Sequence, residues 1–125
     1  MAVGDPVRLV RPAERTQADP TPGMTREQAI AGDGIWAGLV RTAPRATSGW
    51  HHHGEHETSI YVASGRLRME SGPDGNEVVV ARPDDFLHVR PGAIHRESNP
   101  GDEESSIVVV RAGRGVTTVN VDGPA

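Results

Sequence analysis

From Ile35 onward the chain alternates apolar and polar residues in short bursts. The clearest is Arg66-Leu67-Arg68-Met69-Glu70, in which every second side chain is apolar, the period of a strand with one wet face. The same reading gives candidate strands over Ile35–Thr42, Trp50–His53, Thr58–Ala63, Arg66–Glu70, Glu77–Ala81, Asp85–Val89, Ala93–Glu97 and Ser106–Ala112. Turn signals separate them: Ser64-Gly65, Gly72-Pro73-Asp74-Gly75, Arg82-Pro83-Asp84, Pro91-Gly92 and Pro100-Gly101. Short strands at such regular spacing predict an all-β protein, a closed barrel or a double-sheet jelly roll.

The N-terminal part reads differently. Residues 1–23 are polar and carry Pro6, Pro12, Pro20 and Pro22, which predicts an arm with one short strand around Val7–Val10, loosely ordered or laid across a neighbouring subunit. Thr25-Arg26-Glu27-Gln28 matches a capping box, so a short helix over Thr25–Ala31 is expected, stopped by Gly32 and Gly34. At the other end Val116–Val121 is a weak strand before a fraying tail. A chain of 125 residues is one domain's worth, here an arm over 1–23 followed by a single domain over 24–125.

Composition supports the strand reading and limits the chemistry. Gly (15) and Pro (10) make up a fifth of the residues, which disfavours a helical bundle. With one Phe, one Tyr and two Trp, the core must be built from Val, Ile, Leu and Ala. The net charge of −4 gives no reason to expect nucleic acid or an anionic membrane as partner. Lys is absent and the arginines are interleaved with acids, a mixed solvated surface whose Arg, Ala, Gly and Pro usage resembles a GC-rich bacterial genome. Without cysteine there is no disulfide, thiolate ligand or thiol nucleophile, so any metal must be held by nitrogen and oxygen. The start lacks an apolar run of signal-peptide length and no segment could span a bilayer, so a cytoplasmic protein is expected.

The candidate chemistry lies in the histidines. All six (His51, His52, His53, His56, His88 and His95) fall within 45 residues, four of them in the stretch GWHHHGEHETSIYVASG from Gly49 to Gly65. On a strand the period of two puts His51 and His53 on one face, close enough to share an ion, and turns His52 to the other. Imidazole is the commonest metal ligand and is largely neutral at pH 7. A second segment, DDFLHVRPGAIHRESN over Asp84–Asn99, places a strand, a Pro-Gly turn and His95 in order.

Together the two segments resemble the paired motifs of the cupin superfamily, G-x5-H-x-H-x(3,4)-E-x6-G and G-x5-P-x-G-x2-H-x3-N. His51-x-His53 and Tyr61-Val62-Ala63-Ser64-Gly65 match the first, and Pro91-Gly92-Ala93-Ile94-His95-Arg96-Glu97-Ser98-Asn99 matches the second. The resemblance covers about residues 35–112. Asp84 stands where the second motif begins with Gly, and Arg90 where its first Pro would be. Counting from His53 puts the first motif's glutamate at Glu57, whereas counting back from Gly65 reaches Thr58. By strand parity Thr58 faces inward and Glu57 outward, unless a bulge at Gly54-Glu55 turns Glu57 in.

The resemblance implies a double-stranded β-helix, or jelly-roll barrel, with the short helix as an N-terminal extra. It implies a site of His51, His53 and His95, with Glu57 or His56 as fourth ligand, around one divalent transition ion: Fe, Mn, Ni, Co, Cu or Zn. It further implies a small-molecule ligand and a homodimer. The expected function is a metal-dependent enzyme, of dioxygenase type, on a small oxygen-rich organic molecule. The alternatives are a non-catalytic binding or sensor module, and an isomerase or lyase with Glu57 or His88 as general base. Arg68, Arg90 or Arg96 could meet a substrate carboxylate, and Trp36 and Trp50 could wall a pocket or fill a dimer interface.

Overall fold

A computed structural model describes residues 6–19 and 21–124. The first five residues and Pro20 of the expected arm, and the terminal Ala125, lie outside them. Strand patterning dominates the described residues. β1 (Thr16–Gln17), β2 (Met24–Gly32) and β3 (Ile35–Thr42) are followed by β4 (His51–His52), β5 (Glu57–Ser64) and β6 (Leu67–Ser71). Then come β7 (Glu77–Ala81), β8 (Phe86–Val89), β9 (His95–Ser98), β10 (Ser105–Ala112) and β11 (Val119–Asn120). The strands pair antiparallel into two sheets, in the orders β1-β2-β3-β10-β5-β8 and β11-β4-β9-β6-β7. This is the expected all-β jelly roll. Among the described residues no helix is long and apolar enough to cross a membrane.

The helix expected over Thr25–Ala31 does not form; those residues belong to β2. Their backbone pairs with β3 along the strand, from Met24 opposite Thr42 to Gly32 opposite Ile35. The Asp33-Gly34 turn between the strands, with Gly34 at φ +83, is the hairpin signal that outweighs the local capping pattern. A register shift between Gln28 and Ile30 breaks the two-residue alternation, which hides the strand from a periodicity reading. Among the described residues helical structure is limited to 3-10 turns at Pro12–Glu14 and Pro73–Gly75, and Val7–Val10 forms no strand.

The core lies between the sheets. Met24, Val40, Ile60, Val62, Ile107 and Val109 of the six-stranded sheet meet Leu67, Met69 and Ala81 of the other. Burial alternates along β5 and β10, so Thr58, Ile60 and Val62 share the inner face, as do Ser105, Ile107, Val109 and Arg111. The register sets Thr58 opposite Arg111 on one side and Trp36 opposite Arg111 on the other. One end of the interior is therefore aliphatic, while the other carries Trp36, Arg111 and Thr58 on one wall.

Candidate metal centre

The wall facing Arg111 comes from β4 and β9. Their pairing sets His51 directly opposite His95, and His53 follows just past the end of β4. All three are buried, at 4%, 6% and 2% exposure. Their ring centroids are 5.1 Å apart for His51–His53, 4.4 Å for His51–His95 and 5.0 Å for His53–His95. One ring nitrogen from each lies within 4.8 Å of the other two, the size of cluster that could hold a metal ion.

Each ring is oriented by the backbone. Nδ1 of His51 lies 2.9 Å from the Gly49 carbonyl, that of His95 2.9 Å from the Ala93 carbonyl, and that of His53 2.7 Å from the Thr117 carbonyl. A carbonyl can only accept, so each Nδ1 carries the proton and donates it. In the neutral ring this leaves Nε2 as the nitrogen with a free lone pair. This second layer of hydrogen bonds fixes tautomer and ring direction, as it does around metal-bound imidazoles. Electrostatics work the same way. Burial and then the positive charge of Arg111 push His53 down to about 3, and burial also lowers His95. Three imidazoles with no carboxylate in the cluster form a donor set that fits a divalent transition ion.

The other candidate residues lie outside the cluster, although His88 and Arg90 line the smaller of two cavities that reach it. Glu57 is on the outer face of β5, where its carboxylate accepts from His88 Nε2 at 2.7 Å, and both side chains are more than half exposed. Gly54-Glu55 forms a turn with Gly54 at φ +60, and this turn leaves Glu57 facing out. His56 is buried, but its Nδ1 donates to the His53 carbonyl at 3.1 Å and it is outside the cluster. His52 accepts from the Gly54 amide at 3.0 Å. Arg96 forks onto Glu70 at 2.9–3.2 Å and stacks on Trp50, with Arg68 3.8 Å from the same carboxylate. Arg90 is exposed beside the Pro91-Gly92 turn.

Three inward residues went unassigned in the sequence or were assigned only as lining. Thr58 is 1% exposed and its hydroxyl has no hydrogen-bond partner. Glu97, two residues after His95 on the same face of β9, is 8% exposed and makes no ion pair with a described residue. Arg111 is 8% exposed, and its Nε has no partner. Strand parity was the available signal for Glu97 and Arg111: a charge on the apolar phase of β9 or β10 must point inward.

Two cavities reach the triad. A polar one of about 590 Å³ touches His51 and is lined by Arg26, Gln28, Trp36 and Arg111, with Thr117, Thr118 and Asn120 of the C-terminal segment along one side. A smaller one of about 240 Å³, mostly apolar, reaches His95 past Met69, Leu87 and Val89.

Comparison with known proteins agrees with this architecture. The cupin domain family model matches residues 38–111. Among solved structures, KdgF from Halomonas sp. superposes with a TM-score of 0.74 at 20% identity, over 87% of this chain and 96% of that one. A mutant of Bacillus subtilis oxalate decarboxylase OxdC gives 0.74 at 22%, over 87% of this chain and 30% of that one. Drosophila melanogaster CENP-C bound to CAL1 gives 0.72 at 18%, over 83% and 85%. At these identities the likeness is one of fold. No curated protein sequence matches the chain.

Proposed function

The chain belongs to the cupin family, and on that premise we propose that it is a metal-dependent enzyme of dioxygenase type acting on a small, oxygen-rich organic molecule. One observation carries the reading: His51, His53 and His95 each give Nδ1–H to a backbone carbonyl and turn a bare Nε2 toward a shared point. No described residue pairs with these Nε2 atoms, so a cation or water is left to meet them. When bound, a divalent transition ion would supply Lewis acidity and redox capacity. The remaining residues bind and exclude. The 590 Å³ cavity is of small-molecule size, and Trp36 and the C-terminal segment form part of its wall.

A second reading, an isomerase or lyase, has its own support in Glu97. This buried carboxylate lies on the face of β9 that carries His95, where it could take or return a substrate proton. Glu57 and His88 are less suited to that role, since they are engaged with each other at the surface. The KdgF and oxalate decarboxylase folds are compatible with either chemistry, and fold alone does not choose between them.

Protein purified without a histidine tag or nickel column should carry about one metal per chain by elemental analysis. Turnover should stop on chelation and return with one metal. Turnover that persists without oxygen would sink the dioxygenase reading in favour of the isomerase or lyase. A bound metal with no turnover across a panel of small oxygenated acids and sugars would make the protein a binding module. The proposal includes a cytoplasmic homodimer whose N-terminal arm is residues 1–23. Exposed Val78, Val79, Val80 and Phe86 on the edge strands β7 and β8 support the dimer, and light scattering tests it.

A further inference from the structure

The described residues include two arginine–tryptophan stacks, and their difference is informative. The Arg96 guanidinium lies 4.7 Å from the centre of the Trp50 ring and forks onto both carboxylate oxygens of Glu70. The Arg111 guanidinium lies 5.0 Å from the centre of the Trp36 ring, is more deeply buried, and has no carboxylate within ion-pair distance among the described residues. Arg96 has the bidentate partner that this planar fork is shaped for. Arg111 does not.

We propose that the missing partner is a ligand: Arg111 is an anion-recognition residue that binds the carboxylate of a small organic acid in the cavity reaching His51. This inference rests on the proposed function for the role of the bound acid, but not for its binding. Its support is geometric. The Arg111 guanidinium lines the cavity and has no hydrogen-bond or ion-pair partner among the described residues, and a planar oxyanion in the cavity would supply one. Trp36 holds the plane of the fork, and is itself fixed by donating its indole N–H to Gln28 at 2.9 Å.

The cavity has a cationic bias. Arg26 lines it as well, tied to the Thr21 hydroxyl at 2.5 Å and the Asp19 carbonyl at 3.2 Å, and it too has no carboxylate partner among the described residues. Asp19 is the one acid on the lining. Glu97 offsets Arg111 only from beyond ion-pair distance, near enough for its charge to favour the charged guanidinium. The remaining lining groups, Gln28, Ser48, Thr117, Thr118 and Asn120, suit the hydroxyl or carbonyl oxygens of such an acid. The class is therefore a short carboxylate with a second oxygen function. Arg111 anchors one end, and the other end lies toward His51.

Isothermal titration of the metal-free protein with malonate tests this, with malonamide as the uncharged control. Malonate should bind and quench tryptophan fluorescence, weaken as salt rises, and bind at least tenfold more tightly than malonamide. Arg111→Gln should weaken malonate at least tenfold while zinc uptake is unchanged, and Arg111→Lys should recover only part of the loss. If Arg111→Gln does not fold, the malonate–malonamide difference and Arg26→Gln (a smaller loss expected) still decide on folded protein. Equal binding of malonate and malonamide, no malonate binding to the wild type, or unchanged binding in a folded Arg111→Gln would overturn the proposal. Malonate binding with no zinc uptake would instead overturn the metal reading and leave this one standing.

Discussion

The two ends of the barrel interior share the inner faces of β5 and β10 and do opposite things. Toward one end the inner faces of β5, β6 and β10 present Ile60, Val62, Leu67, Ile107 and Val109, all 3% exposed or less. One step further along the same faces the residues become Thr58 and Arg111, opposite His51, His53, His95 and Glu97. The aliphatic end needs no partner, because dispersion and burial are satisfied by mutual contact. The polar end is equally buried but keeps open valences: three Nε2 lone pairs, the Thr58 hydroxyl and the Arg111 Nε. Hence one end holds the fold together, and the other spends part of that stability on groups poised for something not in the chain.

The comparison breaks most heavily at the aliphatic end. Leu67 is 1% exposed at the centre of the core. Leu67→Ala should cost about 2–5 kcal/mol of unfolding free energy, the range for truncating a buried leucine. Chemical denaturation measures it. Metal stoichiometry in the folded fraction should stay unchanged, since the triad is oriented by backbone carbonyls and not by Leu67. A folded Leu67→Ala protein that has lost its metal would mean that the two ends are not separable.

Acid attacks the other end. His53 is pushed down to about 3, mainly by burial and then by Arg111, with smaller contributions from His95 and His51. The unfolded chain takes up this proton near the ordinary imidazole value of about 6.5, so between the two values the unfolded state binds more protons and stability falls as pH falls. The contribution is fully present above about pH 6.5 and is lost progressively as pH drops toward 3. For the metal-free protein this predicts a loss of about 2 kcal/mol between pH 6.5 and 5 from His53 alone. Denaturation midpoints across this range measure it, and His53→Gln should flatten the slope. A wild-type midpoint constant from pH 7 to 5 would contradict burial as the source.

The same contrast explains what the sequence reveals. The aliphatic faces and the His51–His53 pair follow from a period of two, so the strands from Ile35 to Ala112 are legible almost to the residue. β2 is not, because Thr25–Gln28 carries a local helix signal while the strand is stabilised by pairing with β3 and interrupted by a bulge. Long-range pairing is invisible to a local pattern. Arg111 was legible by parity, but its meaning was not: only the absence of a carboxylate beside it, a three-dimensional fact, sets it apart from Arg96. His53 depends on a contact of the same kind, since its Nδ1 partner is 64 residues away.

That distant contact gives the next test. The segment after β10 returns across the polar end, pairs as β11 with β4, and brings the Thr117 carbonyl to His53. Ending the chain at Gly115 removes this acceptor and leaves the Gly49 and Ala93 anchors in place. Metal affinity should fall about 10–100-fold, the usual effect of losing an outer hydrogen bond on a ligating imidazole. The core should be retained by circular dichroism. Competition with a chelating dye measures the affinity. A change of less than twofold would show that His53 is held by its own strand.

The smallest effect is expected at Glu57, on the outside of the same wall. Motif spacing counts Glu57 as a metal ligand, whereas strand parity turns it away, and the structure pairs it with His88. An exposed pair of this kind contributes about 0–1 kcal/mol. Glu57→Gln should therefore move the denaturation midpoint little and change metal affinity less than twofold, because none of the three Nε2 positions depends on it. Thr58, its neighbour on the inner phase, makes the contrast direct: the two are adjacent in sequence but 1% exposed in one case and open to solvent in the other. If Glu57→Gln weakened metal binding tenfold, β5 would have to shift by one residue at the Gly54-Glu55 turn when the ion arrives. That shift would carry Ile60 and Val62 out of the core with it. The aliphatic end thus holds Glu57 outside, and a single substitution on the surface tests the register of the whole strand.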